Sequence, residues 1–346
     1  MRNITFSKSQ IINIVFLIII SAGLLNCQKK DSTNKQPELH DTLDGDPVSY
    51  FGPLKVDGNR ITDMDGKAVQ LRGMSFFWSQ WMGKYYNNDC VEWLKDDWHC
   101  NIVRAALAVE EGGYLTNPEN EKKKICDVVD AAIEHGIYVI IDWHDHHATD
   151  HLREAKEFFA EMAQKYGDTP NVIYETFNEP LQISRSSLIK PYHQAVIDTI
   201  RFYDPDNLII CGTPTWSQDV DVAADDPLEG TNIGYALHFY SGTHKQSLRD
   251  KARTALNKGV ALMVTEFGTT NSTGNGDLYL AETESWLTFM DENKISWCNW
   301  SVADKAEDSA ALLPGTPSAG GWTSSQLTES GSFIRSEIRA DNPWFH

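Results

Sequence analysis

Two glutamates stand where extended runs of the chain stop. In Val172-Ile-Tyr-Glu-Thr-Phe-Asn-Glu-Pro180, β-branched and aromatic residues favour a strand, and Pro180 cannot donate to a ladder and steers Glu179 away from helix. In Ala261-Leu-Met-Val-Thr-Glu-Phe-Gly268 a second such run reaches Glu266 just before a glycine that permits a tight turn. Paired strand-end carboxylates are suited to acid/base work or to nucleophilic attack. Singly, each is more simply a capping or salt-bridged residue, because charged side chains at strand ends are usually solvated. Arg104, His144, Asn178, His238, Tyr240 and Trp300 also fall at expected strand ends, and together they outweigh that simpler reading.

Asn178-Glu179-Pro180, Arg104 within Asn-Ile-Val-Arg-Ala-Ala, His238-Phe-Tyr240 and Thr265-Glu266-Phe-Gly268 resemble the signatures of glycoside hydrolase family 5, in its bacterial endo-β-1,4-glucanase branch. The resemblance runs from about Phe51 to the C-terminus. Cleaving a glycosidic bond takes one carboxylic acid to protonate the leaving oxygen and a second carboxylate at the anomeric carbon. The resemblance implies Glu179 as the acid/base, Glu266 as the nucleophile, and retention through a covalent glycosyl-enzyme. Retention goes with carboxyl groups about 5 to 5.5 Å apart, inversion with roughly 6.5 to 9.5 Å.

The neighbours make physical sense in such a site. Arg104 can keep Glu266 ionised through a charge-assisted hydrogen bond, a role close to that of any barrel-interior ion-pair partner. Asn178 suits a sugar 2-hydroxyl whose hydrogen bond strengthens in the transition state; alone it is as readily a turn residue, and its place beside Glu179 decides. His238 and Tyr240 share one side of their strand by the period of two. The family sets the Tyr against the nucleophile, the His near the acid/base, and a histidine matching His144 after the third strand. Trp300 resembles the aromatic floor under the sugar at the cleavage point, since ring faces suit the apolar faces of β-linked glucose. Similarity places Trp81, Lys305 and Glu307 on the non-reducing side and Trp216 toward the leaving group; each is otherwise ordinary core or surface. Phe77 stands where a histidine is common in the branch and Ala108 where a tyrosine is, which removes a polar sugar contact at each.

His144, His146, His147 and His151, with Asp142, Asp145 and Asp150, form the densest set of potential metal ligands. His144 and His146 can face one way on a strand, but zinc also needs a donor geometry and a supporting shell that this run does not establish. Neither a metal nor a cofactor is expected.

Strand patterns fall near 69–75, 101–107, 137–142, 171–177, 207–212, 233–239, 260–266 and 295–300. Helical patterns lie near 89–97, 120–135, 150–166, 186–203, 217–225, 245–257, 277–292 and 324–339. Eight strand-then-helix units in an undivided chain predict an α/β fold, a closed (β/α)8 TIM barrel, whose post-strand loops build the site. An open doubly wound sheet is the competing fold, but the first strand lacks a Gly-rich phosphate loop after it. The stretch from Leu54 to Val69, with Gly58 and Gly66 between short extended pieces, reads as an N-terminal β-hairpin closing one end of the barrel.

Arg2 and Lys8 precede an apolar run from Ile11 to Leu25, followed by Cys27 and the polar run Gln28 to Gln36. This is similar to a bacterial lipoprotein signal, with residues 1–26 removed, Cys27 lipidated, 27–49 a flexible tether and 50–346 the catalytic domain. Ordinary secretion is the alternative. A net charge of −19 argues against nucleic acid or anionic lipid as a binding surface and is compatible with a neutral polysaccharide. Besides Cys27 there are Cys90, Cys100, Cys126, Cys211 and Cys298. Cys211 and Cys298 fall in expected buried strands, and a disulfide among the other three is left open.

The expected protein is a monomeric, lipid-anchored, retaining endo-β-1,4-glucanase at an outer membrane or cell surface. The same machinery acting on mannan, xyloglucan or mixed-linkage β-glucan is the nearest alternative. A surface glycan-binding lipoprotein without catalysis is the alternative of another class.

Overall fold

The computed structural model describes residues 45–340. The expected signal segment, Cys27 and most of the expected tether lie outside the described residues. The packed chain starts before the expected boundary at residue 50: Asp46 caps a short helix, Pro47–Phe51, whose Val48 is buried. A polar composition suggested tether as far as 49, but the Asp-Pro pair is a helix start and Val48 an anchor.

The hairpin is present as β1 (Lys55–Asp57) and β2 (Arg60–Thr62), antiparallel about Gly58, which takes a left-handed φ of 58°. Eight parallel strands follow: β3 (Arg72–Phe76), β4 (Ile102–Ala108), β5 (Tyr138–His144), β6 (Val172–Glu175), β7 (Ile209–Cys211), β8 (Ile233–Tyr240), β9 (Leu262–Gly268) and β10 (Trp297–Val302). They close in chain order, β10 pairing with β3. Each strand of the expected set is found within a few residues of its place. Among the described residues no helix is long and apolar enough to cross a membrane.

Alternation along the strands sorts the core into layers. On β4, Val103, Ala105 and Leu107 pack outward with helical residues such as Ile125, Val128 and Val129. Ile102 instead joins Tyr138, Ile140, Ile173, Ile210, Ala236, Met263 and Cys298 in an apolar plug inside the barrel, capped by Leu54, Ile61 and Val69 of the hairpin region. The period of two then turns Arg104, Asp142 and Glu175 inward, one step above that plug, where they form a buried ionic layer. The site is built on top of it, at the carboxyl ends of the strands.

All five described cysteines are free thiols, and all but Cys126 are buried. No pair among Cys90, Cys100 and Cys126 is bridged. Burial pushes the Cys90 and Cys298 thiols up, so they pack as small apolar groups.

Candidate active site

Arg104 is fully buried and spends its guanidinium on five side chains, one of them Ser75, whose Oγ accepts from Nη1 at 3.3 Å. Nε donates to Glu175 Oε2 at 2.7 Å, Nη1 to Glu266 Oε2 at 3.1 Å, and Nη2 to Asn178 Oδ1 at 2.6 Å and Asp142 Oδ2 at 2.9 Å. Because guanidinium has donors only, the Asn178 atom facing it must be the oxygen, which leaves the amide nitrogen as that residue's donor. Burial disfavours the charged form of Glu175, but Arg104 outweighs it and holds this carboxyl below its usual range. Asp142 goes the other way, raised well above its usual value by burial.

Glu266 reaches the cleft through an irregularity in β9. Ala236 pairs with Met263 and His238 with Glu266, so β9 carries one more residue than β8 over that step. The same excess appears against β10, where Trp297 and Asn299 pair with Val264 and Phe267. Such a bulge re-aims side chains, and both Thr265 and Glu266 consequently point inward. Tyr240 donates its hydroxyl to Glu266 Oε1 at 2.8 Å. Gly268 makes this contact feasible: a Cβ there would sit 2.4 Å from the Tyr240 ring. Sequence reading assigned Gly268 to a tight turn; its work is instead to admit the ring.

Glu179 lies just past β6 and is held by two imidazoles. His238 Nδ1 is 3.0 Å from Oε1 and His146 Nε2 is 3.1 Å from Oε2. The Thr265 hydroxyl donates to Glu175 Oε1 at 2.6 Å, so its oxygen must accept from His238 Nε2 at 2.8 Å. Nε2 of His238 therefore carries hydrogen, and one further proton is shared between Nδ1 and Glu179. Burial opposes charge on His238, yet Glu175 and Glu179 raise it to about 9, an imidazolium at neutral pH. Burial likewise pushes Glu179 up, but His146 and His238 pull it down to about 2. Glu266 is raised, by burial and then by the Glu179 charge, with His238, Arg104 and Tyr240 opposing. A proton on Glu179 removes that repulsion and leaves Arg104 and Tyr240 to keep Glu266 ionised. One oxygen of Glu179 and one of Glu266 lie within 4.8 Å of each other.

Aromatic residues spread to both sides of this pair. Trp300 stacks on His144, centroids 5.2 Å apart and nearly parallel, and packs against Phe77 at 5.0 Å. Trp81, 54% exposed, lines the same half of the cleft with Lys305 and Glu307, which form an ion pair, while Lys305 Nζ sits 4.9 Å above the Phe77 ring. Trp216 lines the other half, beside Glu179 and Glu266. The helix expected over 217–225 is present from Val220, and just before it the chain turns left-handed at Thr215, Trp216 and Ser217, at φ of 60°, 55° and 54°. Backbone hydrogen bonds from Thr215 to Leu181 and from Trp216 to Pro180, with Ser217 Oγ donating to the Asn178 carbonyl, lock that turn onto the Glu179 loop. Helix resumes at Val220–Asp225. Ala108 is buried and, like Phe77, offers the cleft no polar side chain.

The four neighbouring histidines take four different carboxylates: His144 pairs with Asp142, His146 with Glu179, His147 with Glu110 and His151 with Asp145. His151 also approaches Glu110 at 4.0 Å, so Glu110, Asp145 and His151 bring three donors within 4.8 Å of one another, but His144 and His146 are held by Asp142 and Glu179 and the four histidines share no common centre. Every residue singled out in the catalytic set, Arg104, His144, Asn178, Glu179, His238, Tyr240, Glu266 and Trp300, meets in this cleft or the layer beneath it. Sequence reading passes over Glu175, holds Thr265 only within its motif, and takes His146 as a potential metal ligand and not as a partner of Glu179. Counting by two from Ile173 would have turned Glu175 inward; His146 lies past the end of β5, where that period no longer applies.

Residues 62–306 match the model of the cellulase family, glycosyl hydrolase family 5. The chain is 49% identical over 299 residues to an endoglucanase of Clostridium saccharobutylicum, covering 85% of this chain and 67% of that one. It is 53% identical over 292 residues to endoglucanase Z of Dickeya dadantii, with 83% and 66% covered, so it spans about two thirds of these relatives' length. The catalytic domain of a Thermobifida fusca endoglucanase, a variant of which is solved with cellotetraose, superposes at a TM-score of 0.83 with 36% identity, over 86% of this chain and 100% of that one.

Proposed function

The chain belongs to glycosyl hydrolase family 5, and from that premise we propose that it is a retaining endo-β-1,4-glucanase that cuts internal bonds of cellulose and related β-glucans. The observation that carries this reading is the Glu179–Glu266 pair, with oxygens within 4.8 Å, at the midpoint of an aromatic-lined cleft that continues on both sides. That spacing fits the short separation of double displacement, which leaves no room for the water of an inverting mechanism. A cleft running past the cut in both directions suits internal attack on a long chain.

The geometry gives each step a carrier. A glucosyl unit settles over Trp300 with its 2-hydroxyl accepting from the Asn178 amide. Glu266, ionised by Arg104 and Tyr240, attacks the anomeric carbon while protonated Glu179 delivers its hydrogen to the departing oxygen. Glu179, now a carboxylate, takes a proton from water, whose oxygen attacks the same carbon and returns the bonding pair to Glu266. The complete pair argues against a binding protein that has lost catalysis. The test is viscosity loss against reducing-end release on carboxymethyl cellulose, with glucomannan, xyloglucan and mixed-linkage β-glucan alongside. A fast viscosity drop on the cellulose derivative is expected; strong cleavage of another glycan and none of this one would replace the substrate and keep the mechanism.

Export and anchoring belong to the same proposal, supported by the basic start, the short apolar run and Cys27. Cys27→Ala is expected to move the protein from the membrane fraction to the soluble one, read by fractionation and immunoblot. Retention in the membrane would remove the lipid anchor.

A further inference from the structure

The two imidazoles on Glu179 are not equivalent. His238 is 2% exposed and fixed at its far side by Thr265, so it binds Oε1 from within the barrel. His146 is 32% exposed, rests edge-on against Trp78 at 5.6 Å, and meets Oε2 from the cleft side. His146 lines the half of the cleft that holds Trp78 and Trp300, His238 the half that holds Trp216, so each Glu179 oxygen has its own imidazole partner and His146 is the more exposed of the two.

We infer that His146 is a positioning residue that stores the proton Glu179 delivers. This rests on the glucanase reading above. As the glycosidic oxygen moves in, the Nε2–H bond of the imidazolium breaks and an O–H bond forms on Oε2, leaving neutral imidazole. That O–H then breaks as hydrogen passes to the leaving oxygen, which keeps the electron pair of its bond to carbon. In the second half, water's proton passes to Oε2 and back to Nε2. The charges around His146 favour this use. Glu179 and Glu266 face it from the β6 and β9 sides, and Asp145 adjoins it in sequence. His238 is a cation on the opposite oxygen of Glu179, and His144 is held neutral by burial and by Arg104. Burial opposes charge on His146 itself, but the carboxylates outweigh it and raise it above an ordinary imidazole.

The sign for activity follows. With His146 present, the alkaline limb of kcat/KM marks loss of the stored proton, at a raised histidine value; without it, the His238 proton stays on Nδ1 against Oε1, Oε2 must take a proton from solvent, and that uptake fails at lower pH because His238 still holds the Glu179 carboxyl down. Wild type, His146→Ala and His146→Gln would be assayed against pH on cellotetraose, whose leaving group needs protonation, and on dinitrophenyl β-cellobioside, whose leaving group does not. Both variants are expected to shift the alkaline limb on cellotetraose by about one pH unit or more toward acid, about tenfold lost at alkaline pH. On the activated substrate, whose departure needs no proton, the alkaline limb of kcat/KM is expected to stay where it is in wild type, and urea unfolding reports the fold separately. Gln matters because it can donate to Oε2 but holds no titrating proton. An unmoved limb, a limb restored by Gln, or equal loss on both substrates would overturn the inference. Wild-type protein that cleaves neither substrate would remove the glucanase reading and this inference with it.

Discussion

Glu266→Gln is expected to lower kcat by about 10⁴-fold or more while cellotetraose still binds. The amide has the shape of the carboxylate and none of its nucleophilicity, so the covalent intermediate cannot form. Its orientation is fixed by its partners. Arg104 Nη1 can only donate, so the amide oxygen must take the Oε2 place at 3.1 Å. The amide nitrogen then faces Tyr240, whose hydroxyl can rotate to accept. No partner is lost, so the fold and the sugar contacts persist. Loss of the Glu266 charge also removes a repulsion that favours the protonated form of Glu179, so the acid ionises more readily and turnover falls on that count too. Steady-state turnover of cellotetraose beside calorimetric binding of the same sugar checks both halves. Turnover within about tenfold of wild type would move the nucleophile elsewhere.

Much of this site can be read from residue order because strands alternate. Arg104, Asp142, His144, Glu175, His238 and Tyr240 all obey the period of two counted from the apolar residues below them in their strands. Where the period breaks, the sequence is silent. Nothing in Val-Thr-Glu-Phe announces that β9 gains a residue and turns Thr265 and Glu266 to the same side, since a bulge is defined by register against neighbours. The left-handed run at Thr215 to Ser217 is hidden for a similar reason: its cost is met by hydrogen bonds to residues far back in the chain, which nothing local to these residues announces. Gly268 reads in the sequence as a turn residue and not as the seat of the Tyr240 ring. The cysteines show the same limit, because bridging depends on separation in space, which spacing along the chain does not report.

Arg104→Ala should cost stability as well as activity, and the stability loss should depend on pH in a direction that the ionic layer fixes. The guanidinium is shared by Asp142 at 2.9 Å, Glu175 at 2.7 Å and Glu266 at 3.1 Å, all deep in the barrel. Removing one partner of a buried ion pair typically costs ~3–5 kcal/mol, because the charge left behind is neither hydrated nor compensated. Glu175 sets the sign. In the intact protein its folded value lies below its unfolded one, with Arg104 the leading cause that lowers it. Its ionisation therefore adds stability above the unfolded carboxyl value, and that contribution is lost as pH falls through the folded value. Without Arg104, burial dominates and the folded value rises above the unfolded one. The variant then gains relief from protonation at acid pH and carries its full penalty at neutral pH. Urea unfolding at pH 4.5 and at pH 7.5 should give a stability difference from wild type that is larger at pH 7.5. Arg104→Lys should fall between the two, since one ammonium keeps the charge but cannot span Glu175, Glu266 and Asn178 together. Equal losses at both pH values would mean that Arg104 supports the barrel by packing, and that the carboxylates around it are stabilised by other donors.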